Sequence, residues 1–415
     1  MRLESLLRKL LGLQQTVVTG AQLDATTLIV DVKPTTRRAR CSSCGRKRGV
    51  YDRRLGRQWR HLDIWGLRTY LRYNLRRVSC SNCGVRVEAI PWAEVGSAFT
   101  TAFENEVGYL TQRTDKTTVC RLMGIAWRTV GEIARRVVDR RLDRDARLSG
   151  LVHIGIDELS YRRHHEYVTV VVDLVFGRVV WAHRGKNANT VRAFFEELGP
   201  ERRASIKTVC IDMSAAYRKA VTECAPDAEV VFDRFHVQRL AHDALDEVRR
   251  DEVRQALPEE RRALKNTRFA LQKNPWNLKA IETEKLARLP RTNKRLFRAY
   301  LLKESLVAVL DRRQVHVARR KLLEWLQWAA RSRLAPFVRV ARTIRSHLDG
   351  ILAYIRTGLS NGPVEGLNGK ARVLTRRAFG FHSAESLVAL LFLCCAGLQL
   401  DPFRVARAKP NPLTL

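Results

Sequence analysis

The sequence predicts a multidomain α+β protein: a small cysteine-bearing N-terminal module and a helix-turn-helix, followed by an α/β domain that an all-helical insertion interrupts. Three observations predict it. Two C-x-x-C pairs stand 35 residues apart within the first 98 residues. A helix–glycine–helix pattern occupies residues 117–138, and the β/α alternation that begins at Leu151 breaks off at Val237 to resume only near Ser360.

At roughly 100–200 residues per domain, a chain of 415 residues holds two to four structural units. Lys and Arg number 76 against 42 Asp and Glu, a formal charge of +34 spread along the whole chain, so the natural partner is a polyanion. Each cation set against a phosphate releases condensed counterions, which makes nucleic acid the expected ligand. A membrane is excluded as partner. The longest uncharged apolar run, Leu387–Leu398, falls short of the roughly 20 residues a span needs and reads as a core helix. The N-terminal segment is interrupted by Arg8 and Lys9 and lacks a small-residue cleavage site, so it is no secretory signal, and the expected location is the cytoplasm, with the nucleoid.

Residues 1–98 form the first region. A β-prone run, Thr26–Val32, ends at Pro34; an Arg-, Trp- and Tyr-rich stretch follows from Trp59 to Val78, where alternation over Thr69–Leu75 indicates short strands. Cys41, Cys44, Cys80 and Cys83 give C-x₂-C-x₃₅-C-x₂-C, two knuckles whose thiolates can close a tetrahedral zinc site. Four protein ligands leave no open position, so this Zn²⁺ is structural. Redox pairs or unmetallated thiols are the alternatives, and the long spacing leaves His61 open as a stand-in for one cysteine. Cys120, Cys210, Cys224, Cys394 and Cys395 lie in apolar contexts and read as core.

Residues 99–150 read as a helix-turn-helix broken at Gly124. Its second helix, from near Ala126, carries Arg128, Thr129, Arg135 and Arg136, side chains suited to a major groove and its flanking phosphates. Any two short helices separated by glycine give the same pattern.

Residues 151–236 open with a strand at Val152–Ile156, then Tyr167–Leu174 and Arg178–His183 joined as a hairpin, a helix at Thr190–Leu198, a strand at Ile206–Ile211, a helix at Ala215–Cys224 and a strand at Glu229–Phe232. That meander–helix–strand–helix–strand order is the order of the ribonuclease-H-like fold. Residues 237–358 are helix-like throughout, with apolar residues at helical spacing in Leu322–Leu334; residues 359–415 complete the domain.

Three carboxylates carry the chemistry. Asp157 closes the first strand, Asp212 closes the strand after the first helix, and Glu365 lies near the start of a late helix. Gathered together, such acids repel one another unless cations neutralise them, and hard oxygen ligands suit Mg²⁺ or Mn²⁺. Two such ions can activate water or a 3′-hydroxyl for in-line attack on a phosphodiester and stabilise the leaving oxygen. Glu158 is an alternative ligand, and Asp173 reads as a turn residue. Asp233 and His236 follow the last strand at the same rim, as a cap and a core histidine or as support for the site and contact to DNA. Around Glu365, the residues Asn368, Lys370, Arg372, Arg376 and Arg377 form a polar, basic face fit for phosphate or for solvent.

With these residues in place, the sequence resembles the ISL-three family of insertion-sequence transposases. The resemblance runs through the cysteine pairs, Pro91-Trp92, His153–Glu158, Cys210–Tyr217, Val231–Val237 and Ser360–Phe381. It implies a zinc finger and helix-turn-helix that bind terminal inverted repeats, and a DDE catalytic domain with Asp157, Asp212 and Glu365 as its metal-binding triad. It also implies double-stranded DNA, as element ends and target, as partner, with a homodimer or larger assembly on the two ends. A non-catalytic zinc-finger regulator of DNA and a nuclease that cuts without rejoining are the competing readings.

Overall fold

The structure, a computed structural model, describes residues 3–162, 166–264, 267–360, 362–378, 381 and 383–402, apart from the side chains at positions 162, 259, 260, 263 and 365. The chain divides into two compact units, residues 1–142 with 398–415, and residues 143–397.

In the first unit an exposed amphipathic helix, α1 (Leu3–Leu10), leads into β1 (Thr16–Leu23) and β2 (Thr27–Pro34). Then come β3 (Gly49–Arg60), β4 (Arg68–Cys80) and the short β5 (Gly84–Val87). The strands form one sheet in the order β1-β2-β4-β3, with β5 also on β4. Alternate residues of β2 and β4 face one core, where Val30, Val32, Leu71 and Leu75 surround Trp59 and Trp92. The two indoles meet edge to face at 5.9 Å. The strands expected between the cysteine pairs are thus one long antiparallel ribbon. Its length is what separates the knuckles.

Three helices follow, α2 (Thr101–Arg113), α3 (Lys116–Met123) and α4 (Trp127–Arg141). Gly124 ends α3 at φ 61°, a left-handed conformation that suits glycine and turns the chain sharply into α4. Val107, Val119, Val130, Ile133 and Val137 are fully buried in this unit. Glu104, also fully buried, accepts from Ser97 Oγ (2.8 Å), Arg136 Nε (2.7 Å) and Arg140 Nη1 (2.9 Å), tying α2 to α4. Removing one partner of such a cluster strands the others. Glu104→Leu is therefore expected to destabilise this unit by about 3–5 kcal/mol, seen as an early separate transition in urea; an unchanged unfolding curve would contradict that role.

In the second unit a five-stranded sheet has the order β10-β9-β6-β7-β8. β6 (His153–Arg162), β7 (Glu166–Asp173) and β8 (Arg178–Arg184) form an antiparallel meander. Helices α5 (Ala188–Leu198) and α6 (Pro200–Ala204) lead to β9 (Thr208–Ile211), and α7 (Ala215–Cys224) leads to β10 (Glu229–Phe232). Both added strands run parallel to β6. Asp173 accepts from the Val175 and Phe176 amides and so shapes the β7–β8 turn.

Next come α8 (Arg234–Gln255), α9 (Pro258–Leu264), α10 (Arg268–Gln272), α11 (Ala280–Thr292), α12 (Lys294–Leu310), α13 (Val315–Arg331), α14 (Ala335–Ser346) and α15 (Leu348–Thr357). Their core, with Leu245, Leu302, Leu306 and Trp325, is continuous with the sheet core of Phe194, Phe195 and Val209. At Gly350 of α15 a Cβ would lie 2.4 Å from the Phe232 ring, so only glycine allows that helix so near β10. Finally α16 (Gly362–Arg377) packs on β6, and α17 (Ala384–Cys395) on β7 and β8. The apolar run at 387–398 is largely α17, with Leu387, Leu391 and Leu393 buried, and no described helix is long and apolar enough to cross a membrane.

Candidate active site and metal centre

Parallel pairing sets the site. β9 pairs with β10 from Thr208 to Ile211, but with β6 only from His153↔Thr208 to Gly155↔Cys210. Just past these ladders the neighbouring strands present Asp157, Asp212 and Asp233 at one edge of the sheet. Asp157 does not close its strand, as the sequence suggested: β6 runs on to Arg162, paired with β7 throughout. What stops near Asp157 is the pairing with β9, and the carboxyl ends of neighbouring parallel strands are the usual place for a site in such sheets.

Asp157 is half-buried and fixed from two sides. Asn368 Nδ2 of α16 donates to its Oδ2 at 2.6 Å, and the Glu158 amide donates to its Oδ1 at 2.8 Å. Burial pushes its carboxyl above the usual range; the Glu158 amide, the charge of His236 and Asn368 oppose that shift, while the charge of Asp212 adds to it. Asp212 accepts from the Ser214 amide at 3.0 Å in the turn that starts α7. Glu158 is also raised, first by burial and then by Asp212, with a hydrogen bond from Tyr217 opposing. The buried Tyr217 hydroxyl in turn lies 3.0 Å from Thr169 Oγ1. The charge of Asp212 therefore acts on both Asp157 and Glu158 at this edge.

Glu365 lies in α16 one turn before Asn368, and its side chain is outside the described residues. Asp233 is buried and holds the N-cap position of α8 without a side-chain capping bond; His236 is half-buried in the first turn of that helix. Lys370, Arg372 and Arg376 are exposed on α16. Carboxylate oxygens are the donor type that suits a hard divalent cation, but among the described residues only the four cysteines lie close enough together to hold an ion as they stand.

Burying the Asp157 charge has a measurable consequence. With its folded pKa above the unfolded one, the folded state holds the proton more tightly, so stability falls as pH rises past the unfolded pKa. Asp157→Asn is expected to raise the melting temperature at pH 7 in magnesium-free, zinc-replete buffer, by about 2–4 °C for each kcal/mol relieved. The gain should shrink as pH approaches 4; a lower melting temperature at pH 7 would contradict it.

In the first unit, the ligand atoms of Cys41, Cys44, Cys80 and Cys83 all lie within 4.8 Å of one another. Cys44 and Cys80 sulfurs are 3.6 Å apart, close to the edge of about 3.8 Å that a tetrahedron of 2.3 Å Zn–S bonds requires. Gly45, at φ 69°, turns the first knuckle and donates its amide to the Cys41 carbonyl. Arg48 Nε lies 3.4 Å from Cys80 Sγ and is the main cause that brings this thiol down to about 6. The residues fit Zn²⁺. His61 is elsewhere, buried between Thr100 Oγ1 (2.8 Å) and the Leu11 carbonyl (3.1 Å) and pushed down to about 4 by burial, so it replaces no cysteine.

On α4, Arg128 and Arg135 are exposed, Arg128 in an ion pair with Glu132, and Thr129 is half-exposed. Arg136 is different: its guanidinium is held by buried Glu104. Sequence reading missed Glu104, whose arginine partners lie more than thirty residues away, and the Tyr217–Glu158 contact. Of the other cysteines, Cys210 and Cys395 are buried, whereas Cys120, Cys224 and Cys394 are only half-buried.

Comparison with known proteins agrees with these parts. A family profile described as transposase, the DDE transposase of the ISL3 group, matches residues 154–391. The zinc-finger of transposase IS204/IS1001/IS1096/IS1165 matches residues 37–83, and the helix-turn-helix domain of transposase family ISL3 matches residues 88–138. The chain is 42% identical, over 96% of both chains, to the transposase for insertion sequence element IS1557 of Mycobacterium tuberculosis. It is 32% identical to the transposase for insertion sequence element IS1001 of Bordetella parapertussis, over 86% of this chain and 89% of that one.

Proposed function

This chain belongs to the ISL3 family of insertion-sequence transposases, and from that premise we propose that Asp157, Asp212 and Glu365 are the three carboxylates of its reaction. It is a DDE transposase, a polynucleotidyl transferase with a structural zinc ribbon and a DNA-binding helix-turn-helix. The observation that carries the assignment is the convergence of Asp157 and Asp212 beyond neighbouring parallel strands, with α16 docked on Asp157 through Asn368. We read the second unit as a ribonuclease-H-like domain formed by residues 151–236 and 359–397, and residues 237–358 as an all-helical insertion in it; the residues from 398 on, which the sequence suggested as part of that domain, group with the first unit instead.

Mg²⁺ or Mn²⁺ bound by these acids would activate the attacking water or 3′-hydroxyl and offset charge on the leaving oxygen. The protein does the rest. Asn368 fixes the Asp157 rotamer, and the Ser214 amide fixes Asp212, so the carboxylates need little reorganisation. Asp233 and His236 support the same rim, while Lys370, Arg372 and Arg376 hold phosphates on either side of the scissile bond. Arg128, Thr129 and Arg135 read the terminal inverted repeats, with Arg136 serving as their anchor through Glu104. Both ends and the target must be held together, so the working form is a homodimer or larger, in the cytoplasm with the nucleoid.

The test is cleavage of a labelled duplex bearing the ends of its own element, with and without Mg²⁺. Magnesium-dependent nicking at the element border is expected. A regulator would bind that duplex and leave it whole.

A further inference from the structure

Among Asp233, the N-cap of α8, and the helix's first four residues, Arg234 to Val237, Phe235 alone is exposed, at 58%. Its neighbours are all engaged. Asp233 and Val237 are buried, Arg234 Nη2 pairs with Asp311 at 2.5 Å, and His236 is half-buried at the acid edge. The backbone under Phe235 is therefore fixed while its ring is left outside. That ring stands perpendicular to the His236 imidazole, centroids 6.5 Å apart, and α8 starts directly after β10, whose last pair with β9, Phe232↔Ile211, ends one residue before Asp212.

Resting on the catalytic reading above, we propose that Phe235 is a stacking platform for one nucleobase beside the scissile phosphate, a positioning residue of the transposition reaction. A phosphodiester held at Asp157 brings its flanking nucleotides within reach, since successive bases are spaced by about 3.4 Å along a strand. A flat apolar face fits any base and needs no hydrogen-bond code. Paired bases hide their faces, so stacking on Phe235 takes a nucleotide that has left the duplex stack, which also frees the strand to bend toward the acids. The contribution is placement of the phosphate against Asp157 and Asp212, where small displacements cost large factors in rate.

The experiment uses the full chain with element-end duplexes carrying 2-aminopurine on either side of the scissile phosphate. Wild type, Phe235→Ala, Phe235→Leu, Phe235→Tyr and Asp157→Asn are compared for probe fluorescence, end binding and cleavage. Wild type, Asp157→Asn and Phe235→Tyr should unstack the probe from its duplex and give the same emission change. Phe235→Ala and Phe235→Leu should lose that change and cleave about tenfold or more slowly, with end binding within about threefold. An emission change that persists in Phe235→Ala, or rescue by leucine as good as by tyrosine, overturns the proposal. Full cleavage by Asp157→Asn would instead overturn the catalytic reading, and the fluorescence comparison would still decide the role of Phe235.

Discussion

Asp157→Asn, Asp212→Asn and Glu365→Gln are each expected to lower strand cleavage and joining by about 10³-fold or more, with end binding close to normal. The amides keep the shape but give up one acceptor oxygen and the charge that would bind a divalent cation. Asn368 can still meet an amide oxygen at position 157 after the swap, so the local packing survives. Binding survives for a separate reason: the zinc ribbon and helix-turn-helix lie within residues 1–142. Rates of nicking and joining beside a gel-shift titration check this, and loss of binding with retained cutting would sink the assignment.

Cys41→Ser or Cys80→Ser is expected to release zinc and to weaken specific end binding by at least about tenfold. Apart from backbone bonds such as that from the Ser42 amide to the Val87 carbonyl, the knuckles have little apolar packing to hold them. Around them Ala39, Cys41, Val78 and Cys80 form a cluster too small to persist on apolar burial alone. Without the metal, thiolates so close repel, and Arg48 can offset only part of that charge. Because Cys80 ends β4, fraying there runs directly into the ribbon that carries Leu71 and Leu75. Metal analysis of purified wild-type protein should give about one zinc per chain; none would remove the site.

What the sequence made legible was local. The cysteine knuckles, the glycine between α3 and α4, and the acids Asp212 and Asp233 just after short apolar strands all show within a few residues. The missed parts were long-range. That β6 outlasts its pairing with β9 depends on register, which residues 153–162 alone do not encode. The Asn368–Asp157 bond joins residues 211 positions apart, and Arg136 presents itself in the sequence as a DNA contact because nothing near it points to Glu104, 32 residues earlier. Strand β1 escaped notice because its register shifts between Val18 and Gly20, which breaks the alternation that marks a strand.

The central claim is that one acidic site both cuts and joins DNA, and strand transfer tests it most directly. Purified protein is given Mg²⁺, pre-cut ends of its own element and a circular target, beside the Glu365→Gln variant. Covalently joined products from wild type and none from the variant are the predicted result. Wild-type protein that binds the ends but joins nothing, or a variant that joins as well as wild type, would contradict it.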